Sequence, residues 1–330
     1  MASRVSVTRL KPTFRSRVPL PGCFDVMGTV WHVSSNSEEL LETIHETFPL
    51  KSNPSVPADL RLFFRVDRSA QGPKVRNRPH FRALDHLYYA SYGPNDSMVI
   101  DQQHRQVVGH VSRDLTRDKS YWRHTILPVL VGIVSASIRI TPVHCACVAK
   151  RDGSGLLLGG ISGSGKSILA VTLASAGFNY LSDDCTYLSR TASGLRAWGL
   201  PIPAKLLPDA IAYFPQLHNA TPSESLNGEM AFQVHPAHLF GGDSVLSCNP
   251  RWLVFIERSA GTKPIFQAIS SQDAANRLTQ DLEMLPECIA DQRDYQVETI
   301  RQLVDRECWV LRHGVSPQAL AKVLASFCGL

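Results

Sequence analysis

Residues 156–167 read Leu156-Leu157-Leu158-Gly159-Gly160-Ile161-Ser162-Gly163-Ser164-Gly165-Lys166-Ser167, an apolar run followed by a segment that satisfies G-x-x-x-x-G-K-[ST] from Gly160 to Ser167. The leucines predict a buried strand, and residues 168–176 predict a helix closed by Gly177. The motif therefore lies at a strand-to-helix turn, which is the context it needs to bind phosphate. Glycines let backbone N–H groups turn inward around an anion, and the following helix directs the positive end of its dipole at the same point. Gly160, Ser162, Gly163, Ser164 and Gly165 form the expected cradle, and Lys166 supplies a cation for the terminal phosphates. Ser167, one residue on, supplies a hydroxyl for the magnesium ion that bridges them. ATP and Mg²⁺ are the ligands this segment calls for.

The next strand, over residues 178–182, ends in Ser182-Asp183-Asp184. In a sheet wound this way the acids fall beside the glycine loop, at the carboxyl edge of the strands. Phosphoryl transfer needs an oriented nucleophile and neutralised charge, so one carboxylate can accept the proton of an attacking hydroxyl while the other completes the coordination of magnesium. An Asp-Asp pair at a strand end otherwise serves as a turn or cap. His144 heads the strand over residues 143–149 that precedes the loop, where it can hold or relay the proton of an aspartate; a lone histidine is otherwise a structural side chain.

Away from this centre the chain divides near the polar stretch 112–119. Upstream, residues 30–33, 60–66, 86–90, 98–101 and 106–111 predict strands. Asn36 and Glu39 predict a capping box for a helix whose Leu40, Leu41, Ile44 and Phe48 share a face and which Pro49 stops. Residues 65–82 predict a basic loop. Downstream, a helix from about Tyr121 leads into the strand over 143–149, and residues 186–188, 252–256 and 308–311 predict further strands. Helices are expected from Ser270 and from Ser316-Pro317. The reading is a small N-terminal α/β domain of unknown role over 1–119 and an α/β nucleotide-binding domain over 120–330.

Composition narrows the function classes. The apolar run 126–140 contains Pro128, Gly132 and Arg139 and is shorter than a bilayer span, so it predicts a buried helix and no membrane anchor. Residues 1–22 carry Arg4, Arg9, Lys11, Arg15 and Arg17 with no acid and no apolar core, a basic tail rather than a secretory signal. A net charge of +5 is too small and too dispersed to indicate nucleic acid. The eight cysteines lack metal-knuckle or C-x-x-C spacing, which predicts free thiols in a reducing cytoplasm.

Three blocks, His144-Cys145-Ala146-Cys147-Val148, the run from Leu156 to Ser167, and Gly177-Phe178-Asn179-Tyr180-Leu181-Ser182-Asp183-Asp184, resemble in order and spacing the kinase core of HPr kinase/phosphorylase. The resemblance covers residues 143–190, with a similar layout beyond, and does not extend to residues 1–119. It implies an α/β fold with a P-loop-containing core like that of phosphoenolpyruvate carboxykinase. It also implies transfer of the γ-phosphate of ATP to a hydroxyl, in the manner of a serine kinase. Lys166 and Ser167 then match the phosphate-binding lysine and metal-binding serine, Asp183 the catalytic base, Asp184 its metal-associated neighbour, and His144 the histidine that supports the base. The glycine-rich E-I-R-G-type signature tied to phosphorylase activity and HPr handling is missing after the helix. Related kinases without it accompany peptide-modification systems, which leaves a protein, a peptide or a small molecule as acceptor and homo-oligomerisation open.

Two other classes compete. A P-loop ATPase or nucleotide-sensing module without kinase activity would use the strand Trp252-Leu253-Val254-Phe255-Ile256-Glu257, with Glu257 positioning water and metal. A carboxykinase-like enzyme would need further basic ligands, for which Lys205 is the available candidate.

Overall fold

The first half of the chain alternates apolar and polar residues, and the alternation builds a sheet with one covered face. Along β3 (Leu60–Asp67), Leu60, Leu62, Phe64 and Val66 are buried while Arg61, Phe63 and Arg65 are exposed. This holds for the computed structural model, which describes residues 20–51, 53, 55–70, 78–225, 228–240, 243–261 and 263–329. The other strands of this sheet are β1 (Leu20–Val26), β2 (Thr29–Ser35), β4 (His80–Leu84), β5 (Leu87–Gly93), β6 (Asp96–Asp101) and β7 (Gln106–Ser112), in the spatial order β1-β2-β3-β7-β6-β5-β4. β3 runs parallel to β2 and β7, and the remaining pairs are antiparallel.

Helix α1 (Glu38–His45) buries Leu40 and Ile44, with Leu41 packed at the edge of the same core. The expected capping box does not form. Ser37 is the cap residue, without a side-chain bond. Asn36 instead donates to the Val66 carbonyl at 3.0 Å and accepts from the Val66 N–H at 2.7 Å, which ties the exit of β2 to β3. The basic stretch 65–82 is not all loop: its ends belong to β3 and β4, and its centre, 71–77, lies outside the described residues, as does the basic tail over 1–19.

The run 126–140 is helical and largely buried, as its composition requires. Arg113–Arg117 forms α2, capped by Ser112, and a π-type turn at Trp122–Ile126 leads into α3 (Leu127–Val134). These residues cover the first sheet rather than the second. Trp122 meets Phe64 edge to face at 5.6 Å, and Ile126, Leu130, Val131 and Val134 share one core with Leu62, Met98 and Ile100. The helix expected to open the second half therefore completes the first. A seven-stranded apolar face is too wide for α1 and α2 to cover, and Tyr187 and Leu200 from the second half join the same core.

The second sheet has nine strands: β8 (Thr141–Val143), β9 (Ala146–Ala149), β10 (Ser154–Gly159), β11 (Asn179–Ser182), β12 (Thr186–Thr191), β13 (Gly194–Trp198), then, after a small sheet of β14 (Ala204–Leu206), β15 (Ser223–Glu224) and β16 (Met230–Val234), the long β17 (Ser247–Arg258), β18 (Ile265–Ile269) and β19 (Cys308–His313). Its order is β11-β9-β10-β17-β13-β12-β8, and β19 pairs with both β17 and β18. β10, β17 and β19 are parallel. The single strand expected over 143–149 is interrupted at His144-Cys145, where the chain passes from one arm of this sheet, beside β12, to the other, beside β10.

Alternation sorts the two faces. Leu156, Leu158, Val254 and Ile256 face α4 (Lys166–Ser175) and the C-terminal helix Pro317–Phe327. Leu157, Leu253 and Phe255 face the helices Ser271–Thr279 and Gln292–Val304. Ser270 caps the helix Ser271–Thr279 and Ser316 caps the helix Pro317–Phe327 as expected, each accepting an N–H from the first turn. All eight cysteines are free; Cys147 and Cys248 stand with sulfurs 3.6 Å apart, too far for a disulfide. No helix among the described residues is long and apolar enough to cross a membrane.

Because the core crosses residue 119, shortening the chain there should not leave a folded second half. Trp122→Ala, which removes a fully buried ring from the shared core, is expected to destabilise the whole chain by about 3–5 kcal/mol in urea unfolding. A fragment from residue 120 should be insoluble, and a soluble fragment with cooperative unfolding would show that the shared core is dispensable.

Candidate functional site

The glycine loop turns between β10 and α4 because its backbone takes conformations closed to other residues. Gly165 sits at φ +100° immediately before the helix, and a Cβ on Gly160 would lie 2.8 Å from both the Ile256 carbonyl oxygen and Ser164 Oγ. The loop is closed by Ser164 N–H donating to the Ile161 carbonyl at 3.2 Å. Ser164 Oγ is buried and has no hydrogen-bond partner among the described residues.

Lys166 opens the helix and is buried. Its ammonium donates to the carbonyls of Gly160, at 2.7 Å, and Ile161, at 3.2 Å, so the side chain lies folded over the loop's own backbone. Burial lowers its pKa from the ordinary lysine value, against the opposing pull of nearby Asp184 and Asp281. Ser167 Oγ donates to the Asp183 carbonyl at 3.3 Å and so joins the first turn of α4 to the end of β11.

Asp183 and Asp184 lie in the bend that follows β11 and occupy opposite environments. The Asp183 side chain is buried, with Oδ1 accepting from the Tyr180 hydroxyl at 2.8 Å and Oδ2 from the Lys205 N–H at 2.9 Å. Those bonds favour the ionised form, but burial outweighs them and pushes its pKa up to about 6. Asp184 is exposed and stands 3.1 Å from His144 Nε2. The bond from His144 holds Asp184 below the usual carboxylate range, with Lys166 and Lys205 adding to the effect. His144 thus contacts Asp184 and not Asp183, the partner expected from the sequence, and its Nδ1 lies 3.9 Å from Asp281.

Ser162, Gly163, Gly165, Lys166 and Ser167 of the glycine loop line one cleft of about 360 Å³ with both aspartates, His144 and Lys205, while Gly160 and Ser164 lie in the loop beneath it. Arg258, which the sequence reading passed over, lines it too: a Cβ on Gly165 would lie 3.7 Å from its guanidinium. No ion pair to Arg258 forms among the described residues. Its signal in the sequence was strand parity, because Arg258 shares the α4 face of β17 with Ile256. The same parity puts Glu257 on the opposite face, where Arg277 at 2.9 Å and Arg312 at 3.0 Å hold its carboxylate below the ordinary range. Glu257 is therefore turned away from the glycine loop. Lys205 reaches the cleft rim with its ammonium 2.5 Å from Glu229. A second cleft of about 360 Å³ flanks the loop on the side of Ser164, Tyr213 and His313. Burial lowers the pKa of His313 from the ordinary histidine value, against the pull of a hydrogen bond to the Val315 backbone.

No family model matches the chain, and no curated relative matches it. Among solved structures, one titled "Structure of the Hpr(Ser) kinase/phosphatase from Coxiella burnetii" is similar at 11% identity and a TM-score of 0.33, over 57% of this chain and 90% of that one. That likeness is too slight to bear on the site.

The raised Asp183 pKa has a consequence for stability. Below the unfolded value of 3.8 the carboxyl is neutral in both states, and above about 6 it is ionised in both, so folding carries the full cost of burying charge only at the higher pH. A shift of this size corresponds to roughly 3 kcal/mol. Asp183→Asn is therefore expected to gain stability relative to the parent chain between pH 4 and pH 7, measured as the difference in urea-unfolding free energy at each pH. A difference that stays constant with pH would mean that Asp183 ionises in the fold as it does in the unfolded chain.

Proposed function

We propose that the chain is an ATP- and magnesium-dependent phosphotransferase with an HPr kinase-like P-loop core, moving the γ-phosphate of ATP to a hydroxyl. The observation that carries the reading is the pair Asp183–Asp184 beside the glycine loop, with carboxylate affinities for protons driven in opposite directions. Two acids whose environments separate them are suited to two tasks: one that takes a proton near neutral pH and one that stays charged.

In this reading the backbone N–H groups of the loop and the start of α4 hold the phosphates. The unpartnered Ser164 hydroxyl and the Ser167 hydroxyl, whose lone pairs are not consumed by its donation to Asp183, fit an anion and a cation at this place. Magnesium, held by Ser167 and Asp184, would supply neutralisation of phosphate charge. Lys166 leaves the carbonyls of Gly160 and Ile161 to meet the terminal phosphates, and Arg258 adds a second cation from the β17 side. Tyr180 and the Lys205 N–H orient the Asp183 carboxylate, which takes the proton of the attacking hydroxyl. His144 keeps Asp184 ionised. The flanking cleft at Tyr213 and Leu320 offers a wall for the base of the nucleotide. The free cysteines fit a reducing cytoplasm. An ATPase built on Glu257 draws no support from its position on the far face of β17.

Lys166→Ala should lose most ATP affinity, read by titration of a fluorescent nucleotide, while the fold is kept. In the parent chain kcat/KM for the acceptor should rise with pH through about 6, because the Asp183 base works only when ionised. Asp183→Asn should keep nucleotide binding and lose at least about a hundredfold in transfer. Full turnover in Asp183→Asn, or a rate that falls with pH across this range, would place the base elsewhere.

A further inference from the structure

His144 and Asp184 belong to two clefts at once. On one side lies the phosphate cleft with Lys166, Lys205 and Arg258; on the other is a cleft of about 400 Å³ between the first sheet with α3 and the β8–β12 arm of the second. The two differ in sign. Asp184, Asp281 and Glu283 line the second cleft, and no lysine or arginine does so among the described residues. Asp281 has His144 at 3.9 Å, and Glu283 forms no ion pair among the described residues.

A second, independent observation concerns the uncharged wall. Gln102 and Gln296 both line this cleft and are 4% and 3% exposed, and the amide oxygen of each has no donor. Gln102 is fixed in orientation, because its amide nitrogen donates to the Ile133 carbonyl at 2.6 Å. A buried amide oxygen without a donor is unfavourable, and a ligand rich in N–H groups restores the missing bond. Glu283, a carboxylate without an ion pair among the described residues, and carbonyl oxygens without donors ask for the same thing. A protonated amine carries three donors and a positive charge, whereas an alcohol alone offers one donor and a carboxylate or phosphate none.

Building on the phosphotransferase reading, we propose that this cleft seats the phosphoacceptor and that the acceptor is a hydroxyl compound carrying a protonated amine, either free or as part of a peptide. The amine rests beside Glu283 and Asp281, on the wall that Gln102 and Gln296 complete. The hydroxyl reaches past His144 and Asp184 to the phosphate. Its oxygen forms the new bond to the γ-phosphorus, the bond from that phosphorus to the β–γ bridging oxygen breaks, the proton passes to Asp183, and ADP leaves. The volume suits a small amino alcohol or the end of a peptide chain, with Met284 exposed at the rim.

The test uses the full chain with Mg-ATP and matched acceptors: ethanolamine against ethylene glycol, serine against glycerate, and a peptide with a free N-terminal serine against its N-acetylated form. Transfer of labelled phosphate is expected to favour the amine-bearing member of a pair by roughly 10- to 100-fold in kcat/KM. Free amino alcohols phosphorylated as well as peptides identify a small-molecule source, and preference confined to the peptide pair identifies a peptide; either outcome supports the assignment. Glu283→Lys should erase the preference by raising the acceptor KM, and nucleotide affinity, read separately, should not follow it. Equal or better transfer to the neutral or anionic members, or an unchanged preference in Glu283→Lys, overturns the proposal. Lys166-dependent ATP binding with no transfer to any amine-bearing acceptor overturns it as well and leaves the nucleotide site standing. ATP binding indifferent to Lys166→Ala would instead remove the phosphotransferase reading beneath it.

Discussion

A carboxylate buried at the end of a strand must be compensated, and the compensation of Asp183 fixes the geometry of the site. Its two oxygens are held by Tyr180 from its own strand and by the backbone of Lys205 at the start of β14, while its carbonyl accepts the hydroxyl of Ser167. Those bonds reach three separate segments: the first turn of α4, the end of β11 and the small sheet. Loss of any one leaves a buried group unpaired, so the position of the glycine-loop helix relative to the cleft wall is set by satisfying one aspartate. The next residue, Asp184, is freed by the same turn to face the cleft, where His144 keeps it charged. The chemical difference between the two acids is thus a product of backbone direction, not of residue type.

Strand parity does similar work on β17. Ile256 and Arg258 face α4, and Phe255 and Glu257 face the helices on the other side. An arginine that points at the start of a helix opposes the positive end of the helix dipole, which is favourable only when an anion lies between them. Lys166 is bent back onto the carbonyls of Gly160 and Ile161, so its charge is satisfied by the loop's own backbone. Lys166, Lys205 and Arg258 thus gather around the loop from three separate elements. The neighbouring cleft is lined by acids and amides and by no lysine or arginine among the described residues.

What the sequence revealed follows local rules. The strand-loop-helix at 156–175, the caps at Ser270 and Ser316, and the apolar alternation along 60–66 all depend on residues close in the chain, and the structure has them in place. Asn36 was misjudged because a capping box and a side-chain clamp on a neighbouring strand use the same donor and acceptor atoms, and the choice between them is made by Val66, thirty residues away. The break at His144-Cys145 has no local mark, since every residue from Val143 to Ala149 suits a strand; the chain changes arms because β10 and β12 each need a partner. Arg258 carries no local motif beside Glu257, and only the parity of the strand, followed from Val254 through Ile256, puts it on the glycine-loop face.

The helical stretch 113–138 shows why the two halves are hard to separate in function as well as in folding. Its apolar face closes the core of the first sheet, with Tyr187 of β12 inserted beside it. Its other side, at Val129, Gly132 and Ile133, forms one wall of the acidic cleft, and Ile133 fixes Gln102 through its carbonyl. The opposite wall is β12 and the segment after the helix Ser271–Thr279. A shift of one half against the other would disturb Tyr187 in the core and the spacing of the cleft together. Packing that crosses the boundary therefore ties the spacing of the acidic cleft and the glycine loop to a close-packed core rather than to a hinge. A wall with such a distance fixed can select its ligand by charge and by hydrogen bonding, without needing the closure of one domain on another.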